Sequence, residues 1–444
     1  MSPTRSSDMR VLLLILSALL SLVGSAHAQL TTTGAGGGAA VAGLTTPFWA
    51  GGASSGPANN ATNYTHVSAG RSSSWTTGLT SHNMPIGLAG TITGLTGKAQ
   101  TAVSGGTYII TLMDNGSGVG ETNCTVSSSA CVIGTPTSSA VLQNDILSFK
   151  STVTSTPTAQ SSPFLISYFF TASPGVQETP IVFGSPGTAP STSAVNYSGP
   201  GGNQLPNATE INASGIMPIA GTIVGVAAYN ATTITTGSYT ITVNKNGSAT
   251  SMTCSVGATS TCPTSAGSFH VSALDTISVS DTPVSTPTAS ALAYALLFQP
   301  DTAGLVPKFL NSSVTPPSTV ASTNSYLSFE GNTGTAQTTE AAVQQLTPTP
   351  PSSITIANFV SAMSGAGPSG GMSVAVLDGA TSKLSCTYGT SLTIGGVAAT
   401  NSCQAAGTFS PAAGDLMSLE TLPSTGTTGA TLTWWKASYS AKVQ

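Results

Sequence analysis

GSYTITVNKNGSATSMTCSVGATSTC, residues Gly237–Cys262, reads as a β-hairpin. Tyr239, Ile241 and Val243 alternate with Thr240 and Thr242 at a period of two. Asn246-Gly247 supplies the positive φ angles of a tight turn, and Met252, Cys254 and Val256 alternate on the return. Relatives of this stretch occur twice more. GTYIITLMDNG (106–116) matches it before the turn, and GGMSVAVLDG (370–379) is a copy one residue shorter, with Asp378-Gly379 serving as the turn.

Other landmarks recur in the same order. Thr46-Pro47-Phe48-Trp49 is answered by Thr179-Pro180-Ile181-Val182 and loosely by Val306-Pro307-Lys308-Phe309. Asn63-Tyr64 returns as Asn196-Tyr197 and near Ser325-Tyr326, and MPIGLAGTI (84–92) returns as MPIAGTI (217–223). DILSF, DTISV and DLMSL begin at Asp145, Asp275 and Asp415, and an apolar strand closes each copy. A unit of about 130 residues made of short strands and Gly, Pro or Asn turns predicts an antiparallel sandwich or jelly roll, and is too long for a solenoid repeat. The expectation is an all-β chain of three tandem antiparallel β-sandwich, jelly-roll-like domains at 46–175, 176–301 and 302–444. Connectors of a few residues should bring neighbouring lobes into contact.

Ahead of them, residues 1–28 have the form of a secretory signal peptide: Arg5 and Arg10, an apolar core from Val11 to Val23, and Ala26-His27-Ala28 before Gln29. Residues 29–45 form a Gly- and Thr-rich lead. The expected compartment is extracellular or the cell surface, with no membrane span after cleavage. Charged residues are 5% of the chain, against roughly 25% in ordinary soluble proteins, while 39% are hydrophobic. That composition folds rather than remaining disordered. A formal charge of −4 leaves no basic patch for nucleic acid or anionic lipid. So few titrating groups predict tolerance of acid.

All six cysteines fall in one pair per copy: Cys124 with Cys131, Cys254 with Cys262, Cys386 with Cys403. In an exported chain this reads as one disulfide per lobe, clamping adjacent strands and contributing on the order of 2–3 kcal/mol each. The rival reading, a metal site, lacks C-x-x-C spacing and neighbouring histidine, so no metal or cofactor is expected.

Catalytic constellations are scarce. His66, His82 and His270 do not recur between copies and read as surface residues, and no nucleophile elbow, HExxH helix or phosphate loop is present. Asp145, Asp275 and Asp415 read as Asx-type turns at strand entry rather than calcium ligands. Glu330, Glu340 and Glu420, confined to the third copy, are the only candidates for an acid/base pair. Of Trp49, Trp75, Trp434 and Trp435, the adjacent pair must point to opposite faces of a strand, one to the core and one to a surface or lobe interface. Sequons at Asn60, Asn63, Asn207, Asn212 and Asn311 would be glycosylated only in a eukaryotic secretory route.

Through G-x-Y-x-I-T, Asn-Gly, D-x-I-S and the apolar last strand, each copy resembles the tumour-necrosis-factor and complement-type jelly rolls. It departs from them where the turn follows the Tyr strand closely, and it has no collagen-like stalk. The resemblance implies threefold association and binding through lobe surfaces, with no catalytic residues to carry over. The leading expectation is a secreted, non-enzymatic structural or surface protein of an appendage, coat or matrix, partnered chiefly by itself. An adhesin or carbohydrate-binding protein contacting cell-surface glycans or proteins is the alternative, and a secreted hydrolase the third. Non-reducing peptide mapping should return the three pairs within copies, and pairing across copies would break the assignment.

Overall fold

A computed structural model describes residues 41–51, 56–68, 75–132, 138–160, 164–184, 188–200, 206–258, 261–262, 267–312, 324–329, 340, 344–348, 353–364, 371–423 and 434–444. The leader, residues 1–28, and Glu330 lie outside them. The chain is all-β, with six antiparallel sheets, two for each copy.

In copy 1 one sheet runs Thr45–Gly51, Phe164–Ala172, Gly90–Ala99, Ala130–Val132, with Ser139–Val141 also on Gly90–Ala99. The second runs Asn63–Thr65, Ile146–Ser155, Gly106–Asp114, Ser117–Val126, with Met84–Pro85 also on Ile146–Ser155. The chain passes repeatedly from one sheet to the other, which is the jelly-roll-like order of a sandwich. Copies 2 and 3 repeat it. Copy 3 adds one strand, Thr390–Ile394, which forms a hairpin with Val397–Gln404.

The hairpins form as their alternation requires. Tyr108 and Ile110 in copy 1, Tyr239, Ile241 and Val243 in copy 2, and Val374 and Val376 in copy 3 are all buried. Asn115 and Asn246 take φ of 49° and 52°, and the following Gly116 and Gly247 take 78° and 76°. In the shorter third copy Gly379, φ 54°, stands where the asparagine does, because its N–H bonds Leu416 O as Asn115 and Asn246 bond Ile146 and Thr276. The MPI triplets of MPIGLAGTI and MPIAGTI, by contrast, are two residues out of register, Met84 standing where Gly215 does. Ile86 and Met217 occupy the same place, each donating its N–H to the carbonyl of the recurring aspartate, Asp145 or Asp275. The Gly/Thr-rich lead ends earlier than expected, since Leu44 is buried and its N–H and C=O bond Val176 and Ala172.

Each recurring aspartate closes a four-residue turn. Asp145, Asp275 and Asp415 accept the N–H of Leu142, Ser272 and Ala412 at 2.6, 2.7 and 2.6 Å. Asn115 and Asn246 then donate Nδ2 to Asp145 and Asp275 at 2.8 and 2.7 Å. The hairpin turn and the strand-entry turn are therefore tied together, a role for the aspartate that needs no metal. The serine of the same motif is also used: Ser278 donates to Glu210 at 2.7 Å and Ser418 to Glu340 at 3.0 Å.

The bridges Cys124–Cys131, Cys254–Cys262 and Cys386–Cys403 have Cα separations of 5.7, 6.2 and 5.7 Å. They do not clamp neighbours within a sheet. Each joins the edge strand of one sheet to a strand of the other, so it staples the sandwich where the chain crosses between layers.

Residues 42–444 are one compact unit. The first strand of each copy explains why. Phe48 and Ala50 pack in copy 1's own core, whereas Trp49 between them points the other way, into copy 3's core against Phe329 and Tyr439 at 5.3 and 6.4 Å between ring centroids. Val182 of copy 2 enters copy 1's core, and Phe309 of copy 3 enters copy 2's. Last strands follow suit: Phe169 joins copy 3's core and Leu297 joins copy 1's. Copy 1 leans on copy 3, copy 3 on copy 2 and copy 2 on copy 1, which closes a ring. Across the first seam Thr46 Oγ1 lies 2.7 Å from Thr179 Oγ1.

Trp49→Ala should therefore empty part of copy 3's core and lower the unfolding free energy by about 3–5 kcal/mol. In a denaturant double-mutant cycle with Phe329→Ala the two losses should be non-additive. Additive losses would mean the tryptophan belongs energetically to its own copy.

Candidate functional site

The seam between copies 2 and 3 contains a cleft of about 630 Å³. Copy 2 supplies one wall through the short helix Glu210–Ala213 and the turn Asn246-Gly247. Copy 3 supplies the other through Met363, Ser364 and Trp434 and the tip of its extra hairpin, Ile394 to Ala399. The hairpin explains why the third cysteine pair is 17 residues apart where the others are 7 and 8. It crosses to copy 2, where Gly395 N–H donates to Leu274 O at 2.9 Å. Gly395 has φ +61°, and a Cβ there would lie 2.8 Å from Thr276 Oγ1, so only glycine allows this approach.

Trp435 is buried in copy 3's core, and Trp434 is half-buried at the cleft. Ser364 holds Trp434 by two bonds, its Oγ accepting the Trp434 N–H and its own N–H reaching Trp434 O, both at 3.0 Å. The Lys436 ammonium lies 5.0 Å from the Trp434 ring centroid. It is 1% exposed and donates to Ile211 O and, at 2.6 Å, to Ser214 Oγ. Burial pulls Lys436 down to about 7, against the pull of the Glu210 carboxylate. Leu165 and Ala293 stand at its place in copies 1 and 2, as their pairing with the first strands shows, so only this seam carries an amine there.

The other anticipated residues are placed as follows. His66 and His82 are not surface residues: both are buried, with His82 Nδ1 3.2 Å from His66 Nε2 and His82 Nε2 2.6 Å from Thr76 Oγ1. Their distance in sequence hid the contact. His270 is exposed, 3.0 Å from Asp301. Glu340 bonds Ser418 and Gln344, and Glu420 bonds Asn324, so both serve the outer sheet of copy 3. Trp75 packs against Phe164 in copy 1. Asn63 is buried and accepts the Ala58 N–H, which leaves that sequon no room for a glycan. Among the described residues no group of three or more His, Cys, Asp or Glu could hold a metal ion.

Two acids had no sequence signal. Asp281 is fully buried in copy 2, where Tyr294 donates to it at 2.6 Å; burial raises it to about 7 despite that bond. Asp114 is raised to about 6 by burial and by the neighbouring Asp145 carboxylate. In copy 2 the residue in that place is Lys245, which pairs with Asp275 at 3.0 Å. No protein-family model matches the chain, and comparison with curated proteins gave no match.

An acid whose folded pKa is raised holds its proton in the native state, so its contribution is full below the unfolded value near 4 and is lost as pH rises through about 7. Stability should fall between pH 4 and pH 7 by an amount on the order of 4 kcal/mol from Asp281. Asp281→Asn should flatten that slope and raise Tm at pH 7.5. An unchanged difference between Tm at pH 4.5 and pH 7.5 in the variant would locate the proton elsewhere.

Proposed function

We propose that the protein is a secreted, non-enzymatic structural component of a cell surface, coat or extracellular matrix. The observation that carries this reading is the closed ring: three sandwiches, each stapled by a disulfide, each completing the core of the next. Three disulfides suit an oxidising environment. In tumour-necrosis-factor and complement-type jelly rolls, the resemblance implies association of three lobes; here one chain supplies all three. The fold spends its apolar residues on its own seams, and the low charge of the chain leaves Ser- and Thr-covered outer faces with little mutual repulsion, which favours dense packing of copies.

Cell fractionation should find the processed chain in the envelope or matrix fraction, and electron microscopy of concentrated protein should show assemblies of a compact three-lobed particle. Recovery only as dispersed monomer in the culture fluid would overturn the reading.

A further inference from the structure

The cleft between copies 2 and 3 is built by a feature the other copies lack. Without the extra hairpin of copy 3, the wall from Ile394 to Ala399 would be missing, and the repeat needs no such hairpin to fold, since copies 1 and 2 close their sandwiches without it. Among the described residues only six large apolar side chains are exposed, and two of them, Ile211 and Val397, sit at this cleft, one on each wall. Apolar exposure gathered at a concave site marks a binding surface rather than chance. The volume, about 630 Å³, lies within the range of small-ligand sites.

The lining chemistry selects the ligand class. Trp434 contributes an aromatic ring on a backbone held by Ser364, with the Lys436 ammonium 5.0 Å from the ring centroid. Glu210 contributes the only carboxylate on the lining; its Oε1 already accepts a hydroxyl, from Ser278, and its Oε2 stands beside Gly247 on the same wall. Thr209 and Ser364 add hydroxyls. No arginine, lysine or histidine lines the cleft, and the nearest amine, Lys436, is 1% exposed and committed to Ile211 O and Ser214 Oγ, so a phosphate or carboxylate ligand would meet the Glu210 carboxylate with no exposed counter-ion. A wholly apolar ligand would bury the carboxylate with only the Ser278 hydroxyl as donor, which is costly. A ring with an apolar C–H face and hydroxyl edges satisfies both: the face stacks on indole and the aliphatic hairpin tip, and the hydroxyls donate to Glu210.

We propose that this seam cleft is a carbohydrate-binding site for a neutral pyranose within a short oligosaccharide, with Trp434 as stacking platform and Glu210 as hydroxyl acceptor. Binding here is independent of whether the protein is a coat component. It would fasten the particle to a glycan surface through one asymmetric site per chain, because the equivalent positions of Trp434 and the extra hairpin are not repeated.

The test uses the full processed protein on an array of neutral and acidic glycans, followed by tryptophan-fluorescence titration with the free oligosaccharide of the strongest neutral hit. Saturable binding is expected, weakened at least tenfold by Trp434→Ala and by Glu210→Gln. Ala398→Phe, a substitution at an exposed cleft-wall position outside the core, should block the site while Tm stays unchanged, which separates loss of binding from loss of fold. Absence of saturable binding to any neutral glycan, or binding that survives Glu210→Gln and Ala398→Phe, would overturn the proposal. Tighter binding of n-butylammonium than of any sugar in the same titration would also overturn it, assigning Glu210 to a cation.

Discussion

The structure depends on a sheet that is apolar on both faces. In the first strand of each copy one set of side chains fills the copy's own sandwich and the alternate set fills a neighbour's, so Trp49, Val182 and Phe309 are core residues of lobes to which they do not belong in sequence. A strand with two buried faces cannot carry charge on either, and the low charge of the chain follows in part from this geometry. The two exceptions are instructive. Lys308 is 3% exposed and sits 4.2 Å from the Phe48 ring centroid and 5.5 Å from that of Trp49, and Lys436 is held behind Trp434. Both put an amine against aromatic rings at a seam, where a cation is best tolerated out of water.

Within that frame, what is individual about the protein lies where the three copies diverge. The aspartate turn, the Asn-Gly hairpin and the cross-sheet disulfide are devices of folding, and they repeat with small substitutions. The buried Asp281–Tyr294 pair occurs only in copy 2, where Ile166 and Ala437 replace the tyrosine in copies 1 and 3. The extra hairpin occurs only in copy 3. Three equal seams would have produced a symmetric body; the insertion and Lys436 make one seam different, and that seam holds the cleft.

Much of the fold was legible because it is local. A period of two, Asn-Gly turns and paired cysteines each report on residues close in the chain, and triplication supplied three readings of one pattern. The sequence misled where identity and geometry parted. MPI in copies 1 and 2 aligns by eye, yet Ile86 and Met217 share the place, because Met84, Ile86, Ile216 and Met217 are all buried and apolarity alone cannot choose the register. His66 and His82 looked solitary because their contact bridges residues from separate segments of copy 1. The bridges looked intrasheet because sequence spacing does not reveal which layer an edge strand joins.

By itself the sequence determined the strand alternation, the turns, the threefold repetition and the extra length between Cys386 and Cys403 in the third copy, since each is a property of neighbours along one chain. Only the tertiary structure decided which core Trp49 fills, that the lobes close into a ring, and that Glu210 of one copy and Trp434 of another line the same cleft. Those outcomes depend on the outward faces of three sheets meeting, and a face has no partner until the chain has folded back to supply one.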